Sequence, residues 1–397
     1  MRNLKKITAF LMAVFMVFAL FGCSSLPRTA NKEWAYRANG KDYAVGTYLL
    51  ALSDAYESCY AYLYNTAEDF DPDKSILDMK ASFDETGEIY SVRDWIKMQA
   101  EDFIRYMVAV DGLADKHGVV IGADAKENAM QQAKAEWFMG DIEGEMSGYS
   151  IAYPMKDKYE PIGISLDSFF SAKYMLNNKY DATFTRLYTT GGEREVPKKE
   201  VSDYFETNYT HYYYFIADLY DNVVDEVTGE TVNTPFDAKK TAAYKEKLES
   251  YIKLVAAGAT TTQISDDYKS YAGIVGGDMF VENTETYESL ETSISVEVAD
   301  VVRNMKESSA EVIYMGQETT PIALFIYKAP ISEVTKEYIG DDVKYKSIVS
   351  ELRGQEFFDY LAEYAEELEF EINWDYINKF TLELIEDNYN RYLDSVE

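Results

Sequence analysis

The chain has 397 residues, 47% hydrophobic and 15% aromatic, enough for two or three domains with cores of their own. Its 70 acidic against 38 basic residues give a net charge of −32, which excludes nucleic acid as a partner, because binding phosphates takes clustered Lys and Arg. Two histidines far apart, without companion ligands, exclude a zinc site of the usual kind.

The first stretch reads as an export signal. Arg2, Lys5 and Lys6 precede an apolar run from Ile7 to Phe21, too short for the ~20 residues of a spanning helix. Leu20-Phe21-Gly22-Cys23 resembles a bacterial lipobox, which implies that residues 1–22 are removed and that Cys23 carries lipid at the membrane surface outside the cytoplasm. Cys59 is then the one thiol left, so no intrachain disulfide forms. Cleavage takes three basic and no acidic groups, and 35 basic against 70 acidic residues leave −35. Residues 23–33 read as a polar tether.

Asn39-Gly40 predicts a tight turn after a short extended piece, and Tyr48, Leu52, Tyr56, Cys59 and Leu63 then recur at helical spacing. Ile96, Ala100, Phe103, Met107 and Val110 mark a second helix that Gly118 ends, and further helices are expected over 124–138 and 166–188. Residues 34–197 are thus a mostly helical domain. Gly191-Gly192 and Pro197 place a boundary near 197, and Ser202 is expected to cap a short helix.

Residues 198–330 are mixed. An apolar strand is expected over 211–220, a helix from Asp237 to Ala257 closed by Gly258, a shorter helix to about Ser270, the turn "GIVGGDMF", a helix near 296–306 and a strand from Pro321 to Tyr327. Residues 331–397 return to helix and are expected to pack with the first domain. Ile348, Leu352, Phe357, Leu361 and Leu368 share one face there, and Ile377, Phe380, Leu384 and Tyr389 another.

No motif for metal, phosphate or nucleophile chemistry is present. Asp69, Asp71 and Asp73 open like a calcium loop, but Lys74 and Lys80 stand where Gly and a bidentate Glu are needed. The glycine-rich turn lacks phosphate-loop spacing, and neither His117 nor His211 belongs to a triad motif. No cofactor and no metal are expected.

Taken in order, "VSDYFETNYTHYYYFIADLYD", "YKEKLESYIKLVAAGATTTQISDDYKS", "GGDMF", "VADVVRNMKESSAEVIYM" and "TTPIALFIYKAP" resemble the parvulin-type peptidyl-prolyl isomerase domain. The flanks "YRANGKDYAVGTYLLAL" and "ADKHGVVIGADAKENAMQQAK" resemble the rest of the PrsA/SurA class of extracytoplasmic foldases. The resemblance implies an α+β fold: a SurA-N-like helical domain completed by the C-terminal helices, with a small antiparallel sheet flanked by helices inserted over 198–330.

It also implies where a proline-binding site falls, and there the chain departs from the family pattern. The strand histidines of parvulins correspond to Tyr213 and Ala323, the acid or thiol before the glycine turn falls near Lys269 or Ser270, and Thr292 and Val296 stand for the Met and Phe of the third helix. A shift of two residues would put His211 in the place of Tyr213, on the same strand face. Tyr213, Phe215, Met279, Phe280 and Val296 are the expected client-binding residues. Prolyl isomerisation faces a barrier of about 18–20 kcal/mol and needs oriented polar groups in an apolar cleft, so these departures imply weak or absent catalysis. The expected function is a lipid-anchored chaperone for unfolded secreted polypeptides, with a second copy of the chain an admissible partner. The alternatives are an active isomerase with divergent residues and, less favoured, a solute-binding lipoprotein of two α/β lobes.

Overall fold

The computed structural model describes residues 33–68, 70–84, 87–140, 153–224 and 231–396; Cys23, Asp69 and the export segment lie outside them. The chain forms two compact units, 1–195 with 353–397, and 196–352. No helix among the described residues is long and apolar enough to cross a membrane.

The first unit opens on a hairpin of β1 (Trp34–Ala38) and β2 (Lys41–Ala44), whose turn puts Asn39 and Gly40 at φ 52° and 71°, as a two-residue turn with right-handed twist demands. Then come α1 (Val45–Thr66), the short pair β3 (Lys80–Ser82) and β4 (Ile89–Ser91), α2 (Val92–Lys116) and α3 (Ala123–Met139). Ser91 caps α2 by accepting the Asp94 N–H. After α4 (Met155–Tyr159), one helical run follows as α5 (Leu166–Phe169), a π-helical stretch over Phe170–Met175 and α6 (Leu176–Tyr188). On its inner side α1 presents Asp54 and Glu57, both buried, to Lys158 of α4. Lys158 is 1% exposed with its Nζ 2.6 Å from Glu57 Oε1, and the Tyr159 hydroxyl lies 3.4 Å from Asp54.

The second unit begins with α7 (Lys198–Asn208), which Pro197 precedes, so Ser202 is interior and not the expected cap. The strand expected over 211–220 is β5 (Tyr209–Asp218); an exposed hairpin of β6 (Tyr220–Val224) and β7 (Thr231–Pro235) then adds a feature without a sequence-level expectation. α8 (Ala238–Ala256) is capped by Asp237, whose carboxylate accepts the Lys240 N–H, and closed by Gly258 at φ 90°. α9 (Thr261–Ala272) carries a capping box of Thr260 and Gln263. Beyond the glycine turn lie β8 (Val281–Thr286), α10 (Tyr287–Ser293) and α11 (Val296–Asn304).

The stretch "SSAEVIYM", beyond the helix expected near 296–306 and without an expectation of its own, forms β9 (Ser309–Gln317), entered through Ser308 at φ 60° and paired with β10 (Thr320–Ala329). The sheet order is β8-β5-β10-β9, antiparallel throughout, so β5 and β10 are neighbours. Every strand pair among the described residues is antiparallel, unlike the parallel lobes of the solute-binding alternative. α8 and α9 cover one face through Leu248, Tyr251, Ile264 and Tyr268, whereas α10 and α11 cover the other through Leu290, Val298 and Val302. Lys328 of β10 is 8% exposed; its Nζ donates to the carbonyls of Val302 and Met305 at 2.8 and 3.2 Å and to the Tyr287 hydroxyl at 3.1 Å.

α12 (Ser332–Gly340) stacks Tyr338 on Phe205 at 4.8 Å, and the Tyr345 hydroxyl donates to the Val196 carbonyl. Residues 331–352 therefore belong to this unit and not with the C-terminal helices, and the division falls within α13 (Asp342–Glu366). In the first unit Gly112 of α2 lies so close to α13 that a Cβ would fall 2.6 Å from Tyr364 Cε1. β11 (Glu371–Ile372) pairs with β1, α14 (Trp374–Ile377) is one turn, and α15 (Leu382–Val396) ends the chain. The stripe expected from Ile377 to Tyr389 is thus broken between α14 and α15.

A pattern recurs in both units: buried phenols donate to carboxylates. Tyr56 bonds Glu386 at 3.1 Å, Tyr188 bonds Glu356 at 3.1 Å, Tyr209 bonds Glu351 at 2.7 Å and Tyr251 bonds Asp267 at 2.8 Å; Tyr212 reaches Glu285 likewise. A buried Tyr hydroxyl needs an acceptor, and the acid surplus supplies it.

Candidate functional site

Because side chains alternate along a strand, His211, Tyr213, Phe215 and Ala217 of β5 share one face of the sheet in the second unit. Cross-strand pairing adds Tyr327 opposite Tyr213, Phe325 opposite Phe215 and Ala323 opposite Ala217 from β10, and Thr284 opposite His211 and Glu282 opposite Tyr213 from β8. One half of this face is sealed: Phe215, Ala217, Ala323 and Phe325 lie buried beneath α8 and α9. The other half is a ledge. Tyr213 and Tyr327 stack there at 6.1 Å, and the His211 ring meets Tyr213 edge-on at 5.1 Å.

The glycine turn borders the ledge. Gly273, Gly276 and Gly277 adopt φ of 72°, 90° and 63°, open to glycine at little cost. Lys269 Nζ donates to the Gly277 carbonyl at 2.7 Å, Ser265 accepts the Met279 N–H and Asp278 accepts the Phe280 N–H. Those bonds present Met279 and Phe280 half-buried against the sheet, with the Phe280 ring 5.1 Å from Phe215 and 5.9 Å from Phe325. Ile274 and above all Val275, 98% exposed, leave an apolar rim in water.

His211 is only 1% exposed, with Nδ1 2.8 Å from Thr284 Oγ1 and Nε2 3.6 Å from Glu282, so its ring is locked inside the strand pair. Burial first, then the Glu282 carboxylate, pushes the Tyr213 phenol up to about 12, which keeps it a neutral donor near neutral pH. Backbone bonds, the Phe280 N–H first, hold the Asp278 carboxyl below its ordinary range.

The sequence-derived residues therefore fall into three groups. Tyr213, Met279 and Phe280 border the ledge, while Phe215 and Ala323 lie in the sealed half. Ala323 opposes Ala217, four residues along β10 from the partner of Tyr213, so the two transferred histidine positions do not meet. Val296 is 61% exposed at the start of α11, a helix that packs on the opposite face through Val298, Ala299 and Val302. It joins no pocket with Tyr213, and neither does Thr292, exposed on α10. His117 belongs to the first unit, with Nδ1 3.2 Å from Glu193 and Nε2 3.3 Å from the Tyr360 hydroxyl. Tyr327, Glu282 and Thr284 have no sequence-level assignment; for Tyr327 the period of two from Ala323 carried the signal.

No family model matches the chain, and no curated protein matches it. Among solved structures it is similar to the foldase protein PrsA of Lactococcus lactis, at 10% identity over 90% of this chain and 99% of that one, with a TM-score of 0.34. PrsA of Streptococcus pneumoniae str. Canada MDR_19A is 11% identical over 72% of this chain and 100% of that one, with a TM-score of 0.28. PrsA of Bacillus subtilis gives 11%, 70%, 93% and 0.20 in the same order. TM-scores this low establish no common fold, and the functional reading rests on the residues of this chain.

Proposed function

We propose that the chain is a lipid-anchored extracytoplasmic chaperone that holds unfolded exported polypeptides, with weak or absent prolyl isomerase activity. The observation that carries this reading is the ledge: tyrosine, methionine and phenylalanine beside an exposed Ile-Val rim, with the histidine of the same strand face sealed away. Tyr and Met give contact area with little demand on partner shape, which suits clients of many sequences. The excess of acid keeps such a protein soluble beside its apolar rim. Cys23 is the lipid attachment site in this reading, checked by lipid labelling of wild type against Cys23→Ala.

A second reading, an active isomerase with divergent residues, is favoured by one feature, the neutral Tyr213 hydroxyl beside Glu282 at the edge of the ledge. One pair of assays separates them. A chaperone suppresses aggregation of a denatured client and leaves a proline-limited refolding phase within about twofold of its uncatalysed rate, tens to hundreds of seconds. Acceleration of that phase at substoichiometric protein would overturn the proposal in favour of the isomerase.

A further inference from the structure

The first unit has a groove of about 500 Å³ between one stripe of α2 and one stripe of the C-terminal half of α13. Phe358, Leu361 and Ala362 give it an apolar wall, and Gln99, Asp102 and Tyr106, spaced by three and four along α2, stand on the other side. Gln99 is 3% exposed, and its Oε1 has no hydrogen-bond partner. A buried acceptor left unpaired is costly unless something brings it a donor.

Two more acceptors line the same groove. Asp102 makes no hydrogen bond or ion pair among the described residues, and burial pushes its carboxyl up to about 6 against the pull of Arg105. Glu366 stands exposed on the rim. The one cation in the lining, Arg105, has its guanidinium 4.6 Å over the Phe370 ring and is engaged there. Three acceptors against an apolar wall call for a ligand with an apolar body and a cationic donor.

The groove follows α2 from Met98 to Tyr106, about 12 Å at 1.5 Å per residue, the length of three to four residues of extended chain. We propose that this groove binds a basic-apolar segment of an unfolded polypeptide, an apolar side chain lying on Phe358 and Leu361 while a neighbouring Lys or Arg is received by Gln99, Asp102 and Glu366. This names the client class of the chaperone reading and rests on it. The net charge of the whole chain favours the same clients before contact, by drawing basic segments toward it.

The test uses the mature full-length protein and a short unstructured fluorescein-labelled peptide alternating Leu with Lys, read by anisotropy beside an aggregation-suppression assay on the same samples. The Leu-Lys peptide is expected to bind at least about 10-fold tighter than its Leu-Glu counterpart, and Ala362→Trp, which fills the groove, to weaken it by about 10-fold. Gln99→Leu and Glu366→Lys are each expected to weaken it by about 3- to 10-fold, as loss of a hydrogen bond to a charged group does. Glu366 is exposed, so its variant keeps the test valid even if substitutions in the wall unfold the protein. Unchanged peptide affinity in folded Glu366→Lys and Ala362→Trp would overturn the groove assignment, and if aggregation is still suppressed the chaperone reading survives without it. Groove-dependent peptide binding by a protein that suppresses no aggregation would have the opposite meaning. An alkylammonium ion that competes as well as the peptide itself would overturn the polypeptide as occupant.

Discussion

Among the described residues two lysines are buried, and they are partnered by different means. Lys328 in the second unit meets only neutral acceptors, two carbonyls at the C-terminal end of α11 and a tyrosine hydroxyl, where the helix dipole favours a cation. Lys158 in the first unit is matched to Glu57 and shares its site with Asp54, so one buried cation faces two buried acids. The first arrangement adds no carboxyl. The second leaves a carboxyl in excess, and burial, then the neighbouring Glu57, raises Asp54 to about 7 although Lys158 and Lys173 pull it down. Glu57 is raised as well, by burial. One buried lysine thereby has no carboxyl beside it, whereas the other sits among carboxyls that take up protons in mild acid.

The largest test of this contrast is Lys158→Met. It takes the ion-pair partner from Glu57, leaves Asp54 only the pull of Lys173, and is expected to cost about 3–5 kcal/mol at pH 7.5, read as a fall in the urea midpoint and faster hydrogen exchange in α1 and α4. The loss should shrink toward pH 5 as the carboxyls take up protons. Lys328→Met is expected to cost less, about 1–3 kcal/mol, by leaving the Val302 and Met305 carbonyls short of a donor, with the same loss at pH 5 and 7.5. A strong pH dependence of that loss would abolish the distinction.

Asp54→Asn should stabilise. With a folded value near 7 and an ordinary unfolded value, the native state holds the extra proton between about pH 4 and 7, so stability falls as pH rises through that window. The variant is expected to gain about 1–3 kcal/mol at pH 8 and much less at pH 4, where Asp54 is neutral in the folded state and about half ionised in the unfolded one, in paired thermal melts. The smallest effect belongs to the ledge. Tyr213→Phe removes a half-exposed hydroxyl beside Glu282 and should change stability by less than about 1 kcal/mol while leaving aggregation suppression intact. A large loss of client holding in that variant would move the binding role from ring surface to hydroxyl.

Helices were the legible part of this sequence, because burial on one side imposes a 3.6-residue period: the stripes of α1 and α2 and the caps and glycine stops of α8 follow from residue order. Strand β9 was hidden because "AEVIYM" alternates over too few residues to outweigh the helical stretch before it. The ledge was half legible. The family resemblance puts Tyr213 and Met279 at one site, but which helix covers which face depends on register, a long-range property, and that is why Val296 falls on the other side of the sheet. Neither Gln99 nor Lys158 stands out in sequence, since each gains its meaning from a partner far along the chain.

The tyrosines paired to carboxylates have an optical consequence. A phenol that is buried and donates to an acid gives up its proton only well above its free value, as the raised values of Tyr56, Tyr209 and Tyr251 indicate. In an alkaline titration followed by tyrosinate absorbance, the exposed rings would ionise first and the buried ones would change colour together, when the chain comes apart. Ultraviolet light alone would then report the integrity of both units without any added dye.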